Sequence, residues 1–326
     1  MRVLVTGGSG YVGSSAVCEL ADAGHEVLIY DDLSTGHPKL SDGFELIQGN
    51  IADRDKLRSC LRRADAVMHF AASAYVGESV MNPRKYFRNN VESALAFMDS
   101  VIASDVRLFV FSSSCAVYGV PRELPISESC PKEPINPYGA TKLFFEHVLS
   151  AYGVSHGLRF VALRYYNAAG AHPNGKIGEI HNPETHLIPL AIRAALGSTP
   201  PLAIFGKDLD TPDGTCVRDF VHVCDLATAH LKALQYLDNG GTSVALNLGT
   251  GRGTSIAALI AVIEKISDRK VPHVFAPPRP GDPPVLIADS LKAKEMLHWE
   301  SRFDLEQIIA GALRWEEQLP EFLKNH

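Results

Sequence analysis

The sequence predicts an α/β protein built on a doubly wound parallel sheet, followed by a second, smaller α/β region. Two patterns carry that expectation. Short runs apolar on both faces alternate with helix-length stretches, and a glycine-rich turn joins the first run to the first helix. Strands buried on both faces belong to parallel sheets covered by helices on either side.

The strand candidates are Val3-Leu4-Val5, Val27-Leu28-Ile29, Phe44 to Ile47, Ala66 to Phe70, Leu108 to Phe111 and Phe160 to Leu163. Among them, helices are expected at Tyr11 to Ala23, Asn82 to Ser104 and Pro137 to Tyr152, the last opened by Asn136 as N-cap with Pro137 at the first helical position. After Asn167 the alternation gives way to a Gly/Pro/His-rich loop, Ala168 to Pro183. Further helices are expected at Leu187 to Leu196, Cys224 to Leu237, Ser255 to Ser267 and Leu305 to Leu319, with strand-like runs at Leu202 to Phe205 and Ala245 to Leu248. This sets a sheet domain at residues 1–170, to which later segments are free to return, and a smaller region at 171–326.

Thr6-Gly7-Gly8-Ser9-Gly10-Tyr11-Val12-Gly13 puts glycines at 7, 10 and 13, after a strand and at the mouth of a helix. One glycine permits the tight turn, one lets a pyrophosphate approach the backbone, and one lets helix and strand pack closely, while free N–H groups at the helix start hold the anion. Asp31 ends the next strand, about 20 residues on, where an acid accepts hydrogen bonds from ribose hydroxyls and repels a 2′-phosphate. No arginine stands beside it. The expectation is a Rossmann-type domain that binds NAD rather than NADP.

Tyr138 and Lys142 lie four residues apart, on one face of the expected helix. A phenol, with an ordinary pKa near 10, is a poor base at neutral pH, but a nearby ammonium stabilises phenolate. The pair can then act as a tunable acid/base. Phe111-Ser112-Ser113-Ser114 ends a strand upstream, where the Ser114 hydroxyl can face the same substrate oxygen.

Composition narrows the remaining classes. With 326 residues, 46% hydrophobic and 21% charged, the chain can bury a sufficient core without metals or disulfides. The 31 basic and 37 acidic residues give a net charge of −6 and form no basic stripe, which argues against nucleic acid. Cys18, Cys60, Cys115, Cys130, Cys216 and Cys224 lie far apart and read as reduced thiols; no metal site is expected. His181, His186 and His222 are read as loop or packing histidines, for want of a carboxylate at ligand spacing. No apolar run approaches the roughly 18 residues of a membrane span, and Met1-Arg2-Val3-Leu4-Val5 is too short for a signal peptide's apolar region, so a cytoplasmic location without a membrane partner is expected.

The glycine pattern, Asp31, Ser114 and Tyr138/Lys142 resemble the extended short-chain dehydrogenase/reductase family. Val76-Gly77-Glu78-Ser79, Asn89-Asn90-Val91, Asn136-Pro137-Tyr138-Gly139, Tyr165-Tyr166-Asn167, Asp213-Gly214-Thr215, Val217-Arg218-Asp219-Phe220 and Arg279-Pro280-Gly281-Asp282 narrow the likeness to its UDP-sugar 4-epimerases, over essentially the whole chain. The resemblance implies NAD-dependent inversion at C4 of a UDP-sugar, glucose/galactose first, with UDP-pentoses, UDP-uronates and UDP-N-acetylhexosamines as alternatives. Tyr138 would take the proton of the 4-hydroxyl, Lys142 would bind the nicotinamide ribose, and Ser114 would hydrogen-bond the reacting oxygen.

It further implies cofactor contacts at Gly7, Gly10, Tyr11, Val12, Gly13, Asp31, Asn50, Ile51, Phe70, Asn89, Ser112, Tyr138, Lys142 and Tyr166. Substrate contacts are implied at Ser114, Tyr138, Asn167, Leu187, Ala203, Phe205, Arg218, Arg279 and Asp282, two of the arginines suiting a diphosphate. A homodimer through the Asn82 to Ser104 and Pro137 to Tyr152 helices is implied as well.

Departures from the family pattern carry information. Ala74 replaces a lysine of some members, Asn50 an acid beside the adenine, and Ala116 a hydroxyl offered to the sugar. Leu286 stands where some members have a bulky tyrosine, which would leave room for an N-acetyl group. Cys115 and Ala116 follow Ser114 where nucleotide-sugar dehydratases have Asp-Glu, which argues against dehydration and, less strongly, against UDP-glucuronate decarboxylation. Non-catalytic NAD-sensing relatives usually lack the Tyr/Lys pair present here.

Overall fold

The computed structural model describes residues 1–278 and 283–324. Its first part runs β1 (Arg2–Thr6), α1 (Tyr11–Asp22), β2 (Glu26–Asp31), β3 (Glu45–Gln48), α2 (Arg54–Leu61), β4 (Ala66–His69), α3 (Val76–Met81), α4 (Pro83–Phe87), α5 (Ala94–Ile102), β5 (Leu108–Ser114), α6 (Pro137–His156) and β6 (Arg159–Tyr165). It continues with β7 (Asn167–Ala169), α7 (Leu187–Ala195), β8 (Leu202–Phe205), β9 (Val217–Arg218), β10 (Phe220–His222), α8 (Val223–Asp238) and β11 (Val244–Leu248). The last elements are β12 (Thr254–Ser255), α9 (Ile256–Ser267), β13 (His273–Ala276), β14 (Val285–Leu286), α10 (Leu291–Leu297) and α11 (Leu305–Lys324).

Seven strands form one wholly parallel sheet in the order β3-β2-β1-β4-β5-β6-β11. The direction of travel reverses between β1 and β4, which opens a crevice at the carboxyl ends of those strands. Alternate residues of each strand feed two cores. Val3, Val5, Ile29, Met68 and Val110 pack with α1 and α8, while Leu4, Leu28, Val67 and Phe109 pack with α5 and α6. Burying each such side chain contributes about 1.5–3 kcal/mol, so both faces of every central strand are held.

The chain leaves the sheet after β6 and returns through α8 and β11, the seventh strand. Between and after these, short strand pairs form a second region: β7 with β10, β8 with β13, and β12-β9-β14. Ile188 and Ile192 of α7, Ile204 of β8, Ile263 of α9 and Ile308 of α11 make its core.

Two sequence expectations are corrected. The stretch from Asn82 to Ser104 is one helical run from Pro83 to Ile102, N-capped by Asn82 at φ −135° and ψ 65°, but it is not α-helical throughout: Arg88–Ser93 forms a wider π-helical turn between α4 and α5. The strand Leu108 to Phe111 extends to Ser114, carrying all three serines into the sheet.

Candidate active site

The nucleotide end of the site is shaped by glycines. Gly7 has φ +75°, and a Cβ there would lie 2.5 Å from the Ala71 nitrogen in the loop after β4; a Cβ on Gly13 would lie 2.1 Å from the Gly7 carbonyl. Gly10 caps α1 without a side chain, and the first i→i−4 bond into the helix is made by Ser14 N–H to Gly10 (2.9 Å). The amides of Tyr11, Val12 and Gly13 precede that bond, so they have no acceptor within the helix and suit an anion.

Asp31 is 7% exposed, and its two oxygens accept from the Ser9 N–H (3.0 Å) and the Leu33 N–H (2.9 Å). Two of a carboxylate's four lone-pair positions remain for ribose hydroxyls. Asn50 donates to Asp32 (3.0 Å) and accepts from the Ala52 N–H (2.9 Å), while Ile51 is buried behind it. This cradle fits a dinucleotide with a free 2′-hydroxyl. The Tyr11 phenol closes over the turn by donating to the Gly170 carbonyl (2.5 Å), and Phe70 packs on the His230 ring, with centroids 4.6 Å apart.

At the other end, Asn136 caps α6 by accepting from the Gly139 N–H (2.8 Å), which sets Tyr138 and Lys142 on the face toward β5. Lys142 Nζ donates to the Ser112 carbonyl (2.6 Å) and lies 5.8 Å from the Tyr138 ring centroid. The Ser114 hydroxyl lies beside the Tyr138 phenol, and the Tyr86 ring meets Tyr138 edge-on. The electrostatics differ from the simple expectation that the ammonium holds the phenol down. In the chain alone, burial pushes Tyr138 above its ordinary value, with Tyr165 adding to the rise and Ser114 opposing it. Burial also lowers Lys142 to about 7, although Glu146 works the other way. The phenol is thus stored as an acid, and added positive charge is what would release its proton.

Beneath this pair lies a buried network that the sequence did not reveal. Ser113 donates to Glu146 (2.6 Å), Arg164 clasps Glu146 through two bonds (2.9 and 2.5 Å), and Arg164 also reaches Tyr118 (2.8 Å), which donates to Asn247 (2.7 Å). Its one sequence signal is Glu146 four residues after Lys142. Asn90 similarly ties the loop after β4 to the helix by accepting from the Ser73 N–H (2.8 Å) and donating to the Thr141 hydroxyl (3.1 Å). Its neighbour Asn89 donates to the Ser73 hydroxyl (3.1 Å), and Ser112 bonds the Tyr165 hydroxyl (2.6 Å).

Of the expected substrate positions, Asn167 is held on β7 by the Asp219 carbonyl (3.1 Å), Leu187 opens α7, and Ala203 and Phe205 lie on β8. Arg218 is 9% exposed and donates to the Val217 carbonyl (3.0 Å), while Asp219 accepts from Thr250, Gly251 and Ala288. Tyr166 packs with Val117, Tyr118 and Ile126. Arg279 and Asp282 lie outside the described residues. The Cys115 thiol is pushed up to about 12 by burial, so it remains protonated.

His181 and His186 lie in the loop before α7, but the premise that they lack a carboxylate at ligand spacing does not hold. Glu179 and Glu184 bring carboxylates to both rings, and the four donor atoms lie within 4.8 Å of one another. His222, by contrast, stacks on Phe303 with centroids 3.9 Å apart. Among the described residues, no helix is long and apolar enough to cross a membrane.

Residues 3–249 match the sequence profile of the NAD dependent epimerase/dehydratase family. The chain is 48% identical over 319 residues to a UDP-glucose 4-epimerase of Rhizobium meliloti (strain 1021), with 97% of each chain covered. It superimposes with a TM-score of 0.94 and 47% identity on the crystal structure of a UDP-glucose 4-epimerase from Brucella ovis in complex with NAD, covering 98% of both. A second match, with a TM-score of 0.95 and 38% identity over 98% of this chain and 99% of the other, is an epimerase from Stenotrophomonas maltophila with bound NAD and formylated UDP-arabinopyranose. The parallel sheet, the glycine cradle and these matches lead to one assignment: the chain belongs to the NAD dependent epimerase/dehydratase family.

Proposed function

We propose that the protein is an NAD-dependent isomerase that inverts C4 of a UDP-sugar, interconverting UDP-glucose and UDP-galactose. The observation that carries this reading is the meeting of Ser114, Tyr138 and Lys142 beside a glycine cradle suited to NAD, in a chain alike over its whole length to UDP-glucose 4-epimerases. NAD, when bound, supplies reversible acceptance of the hydride from C4. Tyr138 takes the proton of the 4-hydroxyl and returns it once the 4-keto sugar has presented its other face, so no net oxidation occurs. Ser114 positions the reacting oxygen, and Lys142, fixed on the Ser112 carbonyl, stabilises the phenolate as it forms.

Residues 1–170, joined by α8 and β11, serve as the NAD-binding part. The rest of 171–326 grips the UDP-sugar, with Arg218 meeting the diphosphate together with Arg279. Val80, Met81, Phe87 and Phe144 are 52, 85, 49 and 40% exposed on α3, α4 and α6, which supports a homodimer through that face. Six free cysteines support a reducing, cytoplasmic setting in galactose metabolism. Protonated Cys115 and apolar Ala116 disfavour a dehydratase or decarboxylase.

The test is incubation with UDP-galactose, UDP-glucose and UDP-arabinose without added cofactor, followed by separation of products. Interconversion of the hexoses without net NADH is expected; no interconversion, or NADH accumulating with product, would refute the reading.

A further inference from the structure

The loop between β7 and α7 carries four ionisable side chains in the spacing Glu179-x-His181-x-x-Glu184-x-His186. Its arrangement is difficult to explain by hydrogen bonding alone. The Nδ1 atoms of both histidines converge on one oxygen, Glu179 Oε1, at 3.0 Å from His181 and closer still from His186. The same two nitrogens lie 3.6 and 3.9 Å from Glu184 Oε1. The rings stand edge-on to each other with centroids 5.0 Å apart, so two imidazolium ions would sit side by side to satisfy one acceptor.

The carboxylates are well buried, with 6% of the Glu179 side chain and 2% of the Glu184 side chain exposed. Glu184 Oε2 has no hydrogen-bond partner among the described residues; the nearest cation is Arg193 at 3.8 Å, whose guanidinium fork is engaged by Glu316 (2.7 and 3.0 Å). A buried carboxylate oxygen without a hydrogen-bond partner, on a residue whose other oxygen faces both histidines, marks a missing positive ligand.

We propose that Glu179, His181, Glu184 and His186 bind one borderline divalent transition-metal ion, Zn²⁺ by the chemistry of the set. Two imidazole nitrogens and two carboxylates are a four-ligand complement for that ion. Their separations of up to 4.8 Å must close to about 3.4 Å for tetrahedral bonds of about 2.0–2.2 Å, a movement within reach of side-chain rotation. The ion replaces the two ring protons. Existing contacts already orient the ligands: Glu184 Oε1 accepts from the His186 N–H (2.9 Å), and the Tyr75 ring lies edge-on to both histidines. His186, 45% exposed, leaves a route in from solvent. The bound ion would cross-link the loop immediately before Leu187 and fix how α7 starts.

The test uses the full chain without a histidine tag, stripped by chelator, dialysed and titrated with Zn²⁺ and separately with Co²⁺. One equivalent of Zn²⁺, a Co²⁺ visible absorption of a four-coordinate site and a thermal midpoint raised by several degrees are expected. Glu184→Gln should weaken binding at least tenfold, and His181→Gln with His186→Gln should abolish it. No stoichiometric binding to the native chain, or binding unchanged by Glu184→Gln, would overturn the proposal. If the double histidine variant does not fold, the native Co²⁺ spectrum and Glu184→Gln decide. None of these readouts depends on turnover of a sugar nucleotide.

Discussion

Arg164 on β6 and Glu146 on α6 form a two-bonded ion pair (2.9 and 2.5 Å) with 4% and 8% of their side chains exposed, directly behind the Tyr138/Lys142 helix face. Glu146 also accepts from Ser113 and is the carboxylate that supports charge on Lys142. Removing one partner of a buried pair leaves the other charge uncompensated, at about 3–5 kcal/mol. Glu146→Gln should therefore lower the urea midpoint strongly, and Lys142 should lose charge at lower pH than in the native chain. A pH profile of activity unchanged by Glu146→Gln would contradict this coupling.

Replacing the proposed proton carrier is the direct test of the chemistry. Tyr138→Phe should keep the fold, since the ring still fills its buried site, and should lower kcat by about 10²–10⁴, the range for losing one acid/base group. Retained turnover would move the proton transfer elsewhere.

Gly13→Ala puts a Cβ 2.1 Å from the Gly7 carbonyl, so the turn or the helix must shift. Overpacking of this kind costs about 1–3 kcal/mol, and the shift spreads the amides that would hold the pyrophosphate. The purified variant should retain less NAD, read from the ratio of absorbance at the nucleotide and protein maxima.

His222 accepts the Cys224 N–H at Nδ1 (3.1 Å) as the N-cap of α8, and burial holds its pKa at about 4. Against an unfolded value near 6.5, the unfolded chain binds more protons between those limits, so stability falls as pH drops through this window. The full effect is about 3 kcal/mol. His222→Asn, which preserves an N-cap acceptor, should flatten the dependence of the urea midpoint on pH between 6.5 and 4.

Leu286 pairs in register with Arg218 across β14 and β9 and is partly buried. If it leaves space for an N-acetyl group, the native protein should epimerise UDP-N-acetylglucosamine, and Leu286→Tyr should reduce that activity more than activity on UDP-glucose. Equal losses on both substrates would remove Leu286 as a determinant.

The parallel sheet was legible because each central strand is apolar on both faces and each turn carries its own signal, as at Gly7-Gly8-Ser9-Gly10 and Asn136-Pro137. The convergence of Ser114, Tyr138 and Lys142 was legible from fixed spacing and from the serines that end β5. Glu146 and Arg164 were not, because 18 residues separate them and an acid on a helix reads as a solvated face until tertiary packing buries it. Glu179 and Glu184 escaped for a related reason: their loop has no period from which to infer direction, so the convergence of two acids and two histidines exists only once the loop is folded.

The seventh strand has a consequence for biogenesis. β11 pairs with β6 across residues 166–243, so the hydrogen-bonding edge of β6 stays open until residue 248 has been synthesised. At about 5–20 residues per second, that leaves the sheet unfinished for several seconds on the ribosome. An open apolar strand edge recruits other strands, so the nascent chain is vulnerable to aggregation during that interval. Stop codons or proteolytic cuts before residue 244 should produce insoluble fragments, whereas cuts after 248 leave the seven-stranded sheet complete.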